Sequence, residues 1–99
     1  SVQTYNVGNT ILKADGMELS VDGNSLRLAG KEVDMLSMFM GNPGRTIKLS
    51  QFVERLSDEE EVTRDMVELY ISYLRNKLES LHANVRIDGN AEEGFTLVV

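Results

Sequence analysis

Apolar and polar residues alternate through "TYNVGNTILKADGMELSVDGNSLRLAG", and the alternation breaks at Asn6 to Asn9, Asp15-Gly16 and Asp22-Gly23-Asn24. Asp-Gly between alternating apolar positions is a hairpin signal. The spacing predicts three or four short strands, near Tyr5 to Val7, Thr10 to Ala14, Met17 to Val21 and Ser25 to Leu28. Leu19, Val21, Leu26 and Leu28 are expected to form their packed side. From Gly30 the period changes. Val33, Leu36, Phe39 and Met40 recur at helical spacing, which predicts a helix over Gly30 to Met40. "GNPGR" stops it, because Gly and Pro together punctuate a chain. A short helix is predicted over Ser50 to Leu56, with Ser50 as its N-cap and Phe52, Val53 and Leu56 apolar. The acidic stretch "SDEEE", Ser57 to Glu61, separates it from a long helix. The terminal "VRIDGNAEEGFTLVV" predicts a hairpin, with strands Val85 to Asp88 and Phe95 to Val98 around a turn through Gly89 to Glu93.

The long helix, "TRDMVELYISYLRNKLESL" over Thr63 to Leu81, has an apolar arc too wide for one buried face. Thr63 can cap it, and Asp65 suits the positive N-terminal end. At about 100° per residue, Val67, Ile71, Leu74, Leu78 and Leu81 form one stripe, the expected core face. Asp65, Glu68, Ser72, Arg75, Asn76 and Glu79 form a polar face. On the other flank lie Met66, Leu69, Tyr70, Tyr73 and Lys77. Both tyrosine rings are expected to be at least partly exposed.

Ninety-nine residues, 41% of them hydrophobic, bound the chain to one domain of modest core. No apolar run reaches membrane-spanning length, and no signal peptide opens the chain. The opening "SVQTYNV" has no methionine, so a piece of a longer protein is expected. With no cysteine, disulfides and thiolate metal sites are excluded. His82 stands alone near the helix end, where the negative dipole suits a cation. Asp58 to Glu61 are consecutive and lack the spacing of a calcium loop. No Ser/His/Asp grouping, phosphate-binding Gly loop or paired catalytic carboxylates is visible. No enzyme, cofactor or metal is therefore expected. The net charge of -6 opposes contact with a phosphate backbone.

Strands, three helices with the last longest, then a hairpin form the order of a winged helix-turn-helix, an α+β fold with an N-terminal antiparallel sheet. "LAGKEVDMLSMFMGNPGR", "LSQFVERL" and "ISYLRNKLE" together resemble the C-terminal DNA-binding domains of OmpR/PhoB-type bacterial response regulators. Leu28, Lys31 and Glu32 match the family's entry to the first helix, with Ala29 in place of the usual Thr. Asn42 to Arg45 match its turn. Ile71, Ser72, Leu74, Arg75, Lys77 and Leu78 match its third helix, and "GFTLV" resembles its wing ending. The chain looks like an atypical, acidic member. Tyr70 stands where the family has a basic residue or histidine, Tyr73 where it has arginine, and Asp65 where it has a first-turn arginine. In the wing, Ala91 and Thr96 replace arginines, and Phe95 replaces a tyrosine.

The resemblance implies a single winged-helix domain over 1–99, with the sheet at 4–28, helices at 30–81 and the wing at 85–99. It implies a receiver domain upstream, a histidine kinase acting through that receiver, a homodimer of the full-length protein, and cytoplasmic localisation. Its expected partner is promoter double-stranded DNA, contacted by Arg64, Met66, Leu69, Tyr70, Tyr73, Arg75 and Lys77, with transcription regulated through the major groove. Lys48 and Arg45 are further phosphate candidates. The loop Ser57 to Glu61 reads first as a solvated loop, and in the family it can touch RNA polymerase. The alternative is a degenerate winged helix acting as a protein–protein interaction module, with Met66, Leu69, Tyr70 and Tyr73 as its interface.

Overall fold

Short alternating segments joined by tight turns can pair only with their neighbours, and they do. The computed structural model of the protein describes residues 3–58 and 60–99. Strands β1 (Thr4–Val7), β2 (Thr10–Lys13), β3 (Glu18–Val21) and β4 (Asn24–Arg27) form an antiparallel meander in that order. The register places Tyr5, Leu12, Leu19 and Leu26 in one row across the sheet. Leu12 and Leu19 at its centre are fully buried, while Tyr5 and Leu26 on the edge strands are half-buried. Of the four residues expected on the packed side, Leu19, Val21 and Leu28 are buried and Leu26 is half-buried, and Leu12 joins the core as well.

Three helices follow: α1 (Gly30–Met40), α2 (Leu49–Leu56) and α3 (Arg64–Ser80). Between α1 and α2 runs a two-residue strand, β5 (Thr46–Ile47), which periodicity cannot reveal. The chain ends in β6 (Arg86–Asn90) and β7 (Gly94–Val98), and these form a second sheet in the order β5-β7-β6. The hairpin turn is tighter than expected, because Gly89 and Asn90 remain paired with Phe95 and Gly94. Asn90 Oδ1 accepts the amides of Glu92 and Glu93 at 3.0 and 2.8 Å, which closes the turn.

The core lies between the first sheet and the helices. Val33, Leu36, Phe39 and Met40 are buried as expected, and Met35 with them. The Phe39 and Phe52 rings meet at 5.2 Å in a tilted arrangement that joins α1 to α2. Val67, Ile71, Leu74, Leu78 and Leu81 are all buried, so this stripe is the core face of α3, as its spacing predicts. Thr63 caps α3, its Oγ1 accepting the Met66 amide at 3.2 Å. Ser50 is not the cap of α2. That helix begins one residue earlier, Lys48 holds the cap position, and its amide donates to Gln51 Oε1 at 2.7 Å. Of the acidic loop Ser57 to Glu61, Glu59 lies outside the described residues.

The β1–β2 turn and the segment between α3 and β6 are joined by a reciprocal pair. Asn9 N donates to Asn84 Oδ1 at 3.0 Å and Asn84 N donates to Asn9 Oδ1 at 2.9 Å. Gly8, at φ +58°, makes this approach feasible, since a methyl there would strike Asn84 Oδ1.

Candidate nucleic-acid interface

The third helix lies on the core through its stripe and leaves its outer face uncovered. Asp65, Glu68, Leu69, Ser72, Tyr73 and Asn76 are exposed there. Leu69 at 48% and Tyr73 at 45% exposure are large apolar side chains in open solvent. Met66 and Tyr70 are half-buried and pack against the core edge. The expected flank therefore splits by depth. Tyr70 and Met66 act partly as packing, while Leu69 and Tyr73 are available to a partner.

All but one of the cations expected beside this face are engaged by other groups of the protein. Lys77 Nζ lies 2.7 Å from Glu32 Oε1, joining α3 to the first turn of α1. Glu32 is 2% exposed, and the same oxygen accepts the Ala29 amide at 2.7 Å. Glu32 Oε2 has no donor among the described residues. Arg75 donates from Nε to the Ile87 carbonyl and from Nη2 to the Gly89 carbonyl, each at 3.0 Å. Its guanidinium carbon lies 5.6 Å from the centre of the Phe95 ring. Lys48 Nζ donates to the Glu93 carbonyl at 3.2 Å, and Arg45 Nη1 reaches Asn42 Oδ1 at 3.4 Å. Arg64, at the start of α3, is exposed and carries no ion pair or hydrogen bond among the described residues.

The wing supplies little positive charge. Arg86 pairs with Asp88 at 2.8 Å. Glu92 and Glu93 are exposed in the turn, and Ala91 packs against the core. Thr96 faces Thr46 across the sheet, with their hydroxyls 2.9 Å apart. Phe95 is buried, so this position serves packing and offers no polar group to a ligand. The sequence flagged Glu32 only as part of the entry motif to α1. Its partner Lys77 is 45 residues away, and no local pattern pairs them.

Among the described residues no group of acidic or histidine side chains could hold a metal ion, and no helix is long and apolar enough to cross a membrane.

Residues 23–97 match the family described as "Transcriptional regulatory protein, C terminal". The transcriptional regulatory protein DltR of Streptococcus agalactiae is 32% identical over 94 residues, covering 92% of this chain and 41% of DltR. The chain spans less than half the length of the curated relatives it matches. The DNA-binding domain of Escherichia coli CadC superposes with a TM-score of 0.85 at 24% identity, covering 100% of this chain and 95% of that one. The Klebsiella pneumoniae RstA DNA-binding domain, solved in complex with the RstA box, gives 0.77 at 20% identity, over 97% of each chain. At these identities the structural likeness is one of fold.

Proposed function

The chain belongs to the OmpR/PhoB-type family of transcriptional regulatory C-terminal domains, and from that premise we propose that it regulates transcription by laying α3 in the major groove of duplex DNA, with the β6–β7 wing over the adjacent minor groove. The observation that carries this reading is the outer face of α3, which no other element covers and which lies beside a firmly held wing. Leu69 and Tyr73 are the contacts at its centre, with Met66 and Tyr70 at its edge. A tyrosine there offers a ring to a thymine methyl or a hydroxyl to phosphate. Arg64, Arg75 and Lys77 border the face as its cations, and Arg64 alone of these is unengaged.

The remainder of the proposal follows the family. A receiver domain elsewhere in a longer protein, phosphorylated by a histidine kinase, would bring two copies together on a promoter. The loop Ser57 to Glu61 would then face RNA polymerase.

A second reading has an observation in its favour. Leu69 and Tyr73 are apolar, exposed and share the outer face with Asp65 and Glu68, a composition that suits a protein partner better than phosphate. Tyr73→Arg separates the two. It places a cation at an exposed position of the outer face. For a domain that reads DNA through Tyr73, it should alter sequence preference or abolish binding; for a degenerate domain that serves a protein partner, it should raise non-specific duplex affinity from near nothing and break the partner contact. If neither the unaltered chain nor Tyr73→Arg binds duplex DNA at low salt, the DNA reading is lost, and a partner contact that survives Tyr73→Arg removes the second reading as well.

A further inference from the structure

Strand β6 is the outer strand of its sheet, so one of its edges has no neighbouring strand. Ile87 and Gly89 are two positions apart, and residues at that spacing turn their carbonyls to the same edge of a strand. Both carbonyls accept from Arg75, so that edge faces α3. The guanidinium suits this task because it is planar and presents several N–H groups in a fixed fork. Phe95 adds a third hold. It lies on β7 opposite Gly89, with its ring 5.6 Å from the guanidinium carbon. On the other side of the wing, Lys48 reaches the Glu93 carbonyl of the turn.

We propose that Arg75 is a positioning residue: by bridging two edge carbonyls of β6 it sets the angle of the wing on α3, and its charge is engaged there rather than presented to DNA phosphate. Its Nε and one Nη2 hydrogen are committed to these carbonyls, so the donors that remain can meet a phosphate only in the orientation that the wing fixes. The part concerning DNA rests on the reading above. The hold on the wing does not, since it exists in the free protein.

The test compares Arg75→Lys and Arg75→Ala by two measurements. The first is amide hydrogen exchange of β6 and β7 without DNA. The second is the salt dependence of binding to mixed-sequence duplex DNA. A lysine keeps the charge but cannot bridge both carbonyls in a plane. Both variants should therefore lose about tenfold of the wing's exchange protection while α1 keeps its own. Both should bind DNA severalfold more weakly with the salt slope of the unaltered protein. The proposal is overturned if Arg75→Lys retains full wing protection and affinity. It is equally overturned if Arg75→Ala shallows the slope by about one unit, the mark of a lost phosphate contact. Should the unaltered chain bind no DNA at all, the DNA reading fails, and the exchange measurement still decides whether Arg75 holds the wing. If Arg75→Ala does not fold, Arg75→Lys decides by the same two readouts.

Discussion

Glu32 carries an unusual burden for one carboxylate. Its Oε1 accepts the Ala29 amide and pairs with Lys77, while the side chain is almost wholly removed from solvent. Burying a charge is costly unless it is paired, so Lys77 is what makes Glu32 tolerable in the core. Lys77 is 31% exposed, which screens the pair in part. Lys77→Ala should then lower stability by about 2 kcal/mol, below the full penalty of a buried pair broken on one side. Urea melting checks this, and an unchanged midpoint would show that the ammonium does little for the fold. The same variant separates two roles for Lys77. A phosphate contact would appear as a salt slope shallower by about one unit with stability intact.

The helices show how closely local chemistry follows local pattern, and where it falls short. Thr63 caps α3 as its residue type suggests. Ala29 sits at the cap of α1 in extended geometry, with φ -74° and ψ 160°, but has no side-chain acceptor. Only the Glu32 half of a capping box is present there, because an alanine methyl cannot accept the amide two or three residues on. Ala29 is exposed, so a hydroxyl fits without displacing the core. Ala29→Ser should raise stability by about 1 kcal/mol, read as a higher urea midpoint with an unchanged slope of the transition. A loss of stability would mean that Glu32 and Lys77 already fix this turn in a form that a serine disturbs.

At the scale of the whole molecule, charge decides how DNA could be held. The net charge is -6, and most cations near α3 and the wing have partners inside the protein. Few counterions can therefore be released when the domain meets a duplex. Binding should be weak and the slope of log K against log salt should be shallow, about -1 to -2. Titrations at several salt concentrations measure it. A slope steeper than about -4 would mean that Arg75, Lys77 and Lys48 leave their internal partners on binding.

Local periodicity was enough to order the elements, to place the α3 core stripe from Val67 to Leu81 and to identify Tyr73 as exposed, because the face a side chain takes follows from its spacing along one helix or strand. The strand β5 was invisible to it. Two residues have no period, and Thr46–Ile47 are strand only because β7 lies beside them. The cations were equally opaque. Arg75 and Lys77 on a helix wheel look free for phosphate, and residue type alone assigns them there. Their partners are carbonyls of Ile87 and Gly89 and the carboxylate of Glu32, brought near only when α3 crosses α1 and the hairpin folds back. Sequence spacing determines which way a side chain points within its own element. What it meets is determined by how the elements cross, and that only the tertiary structure decides.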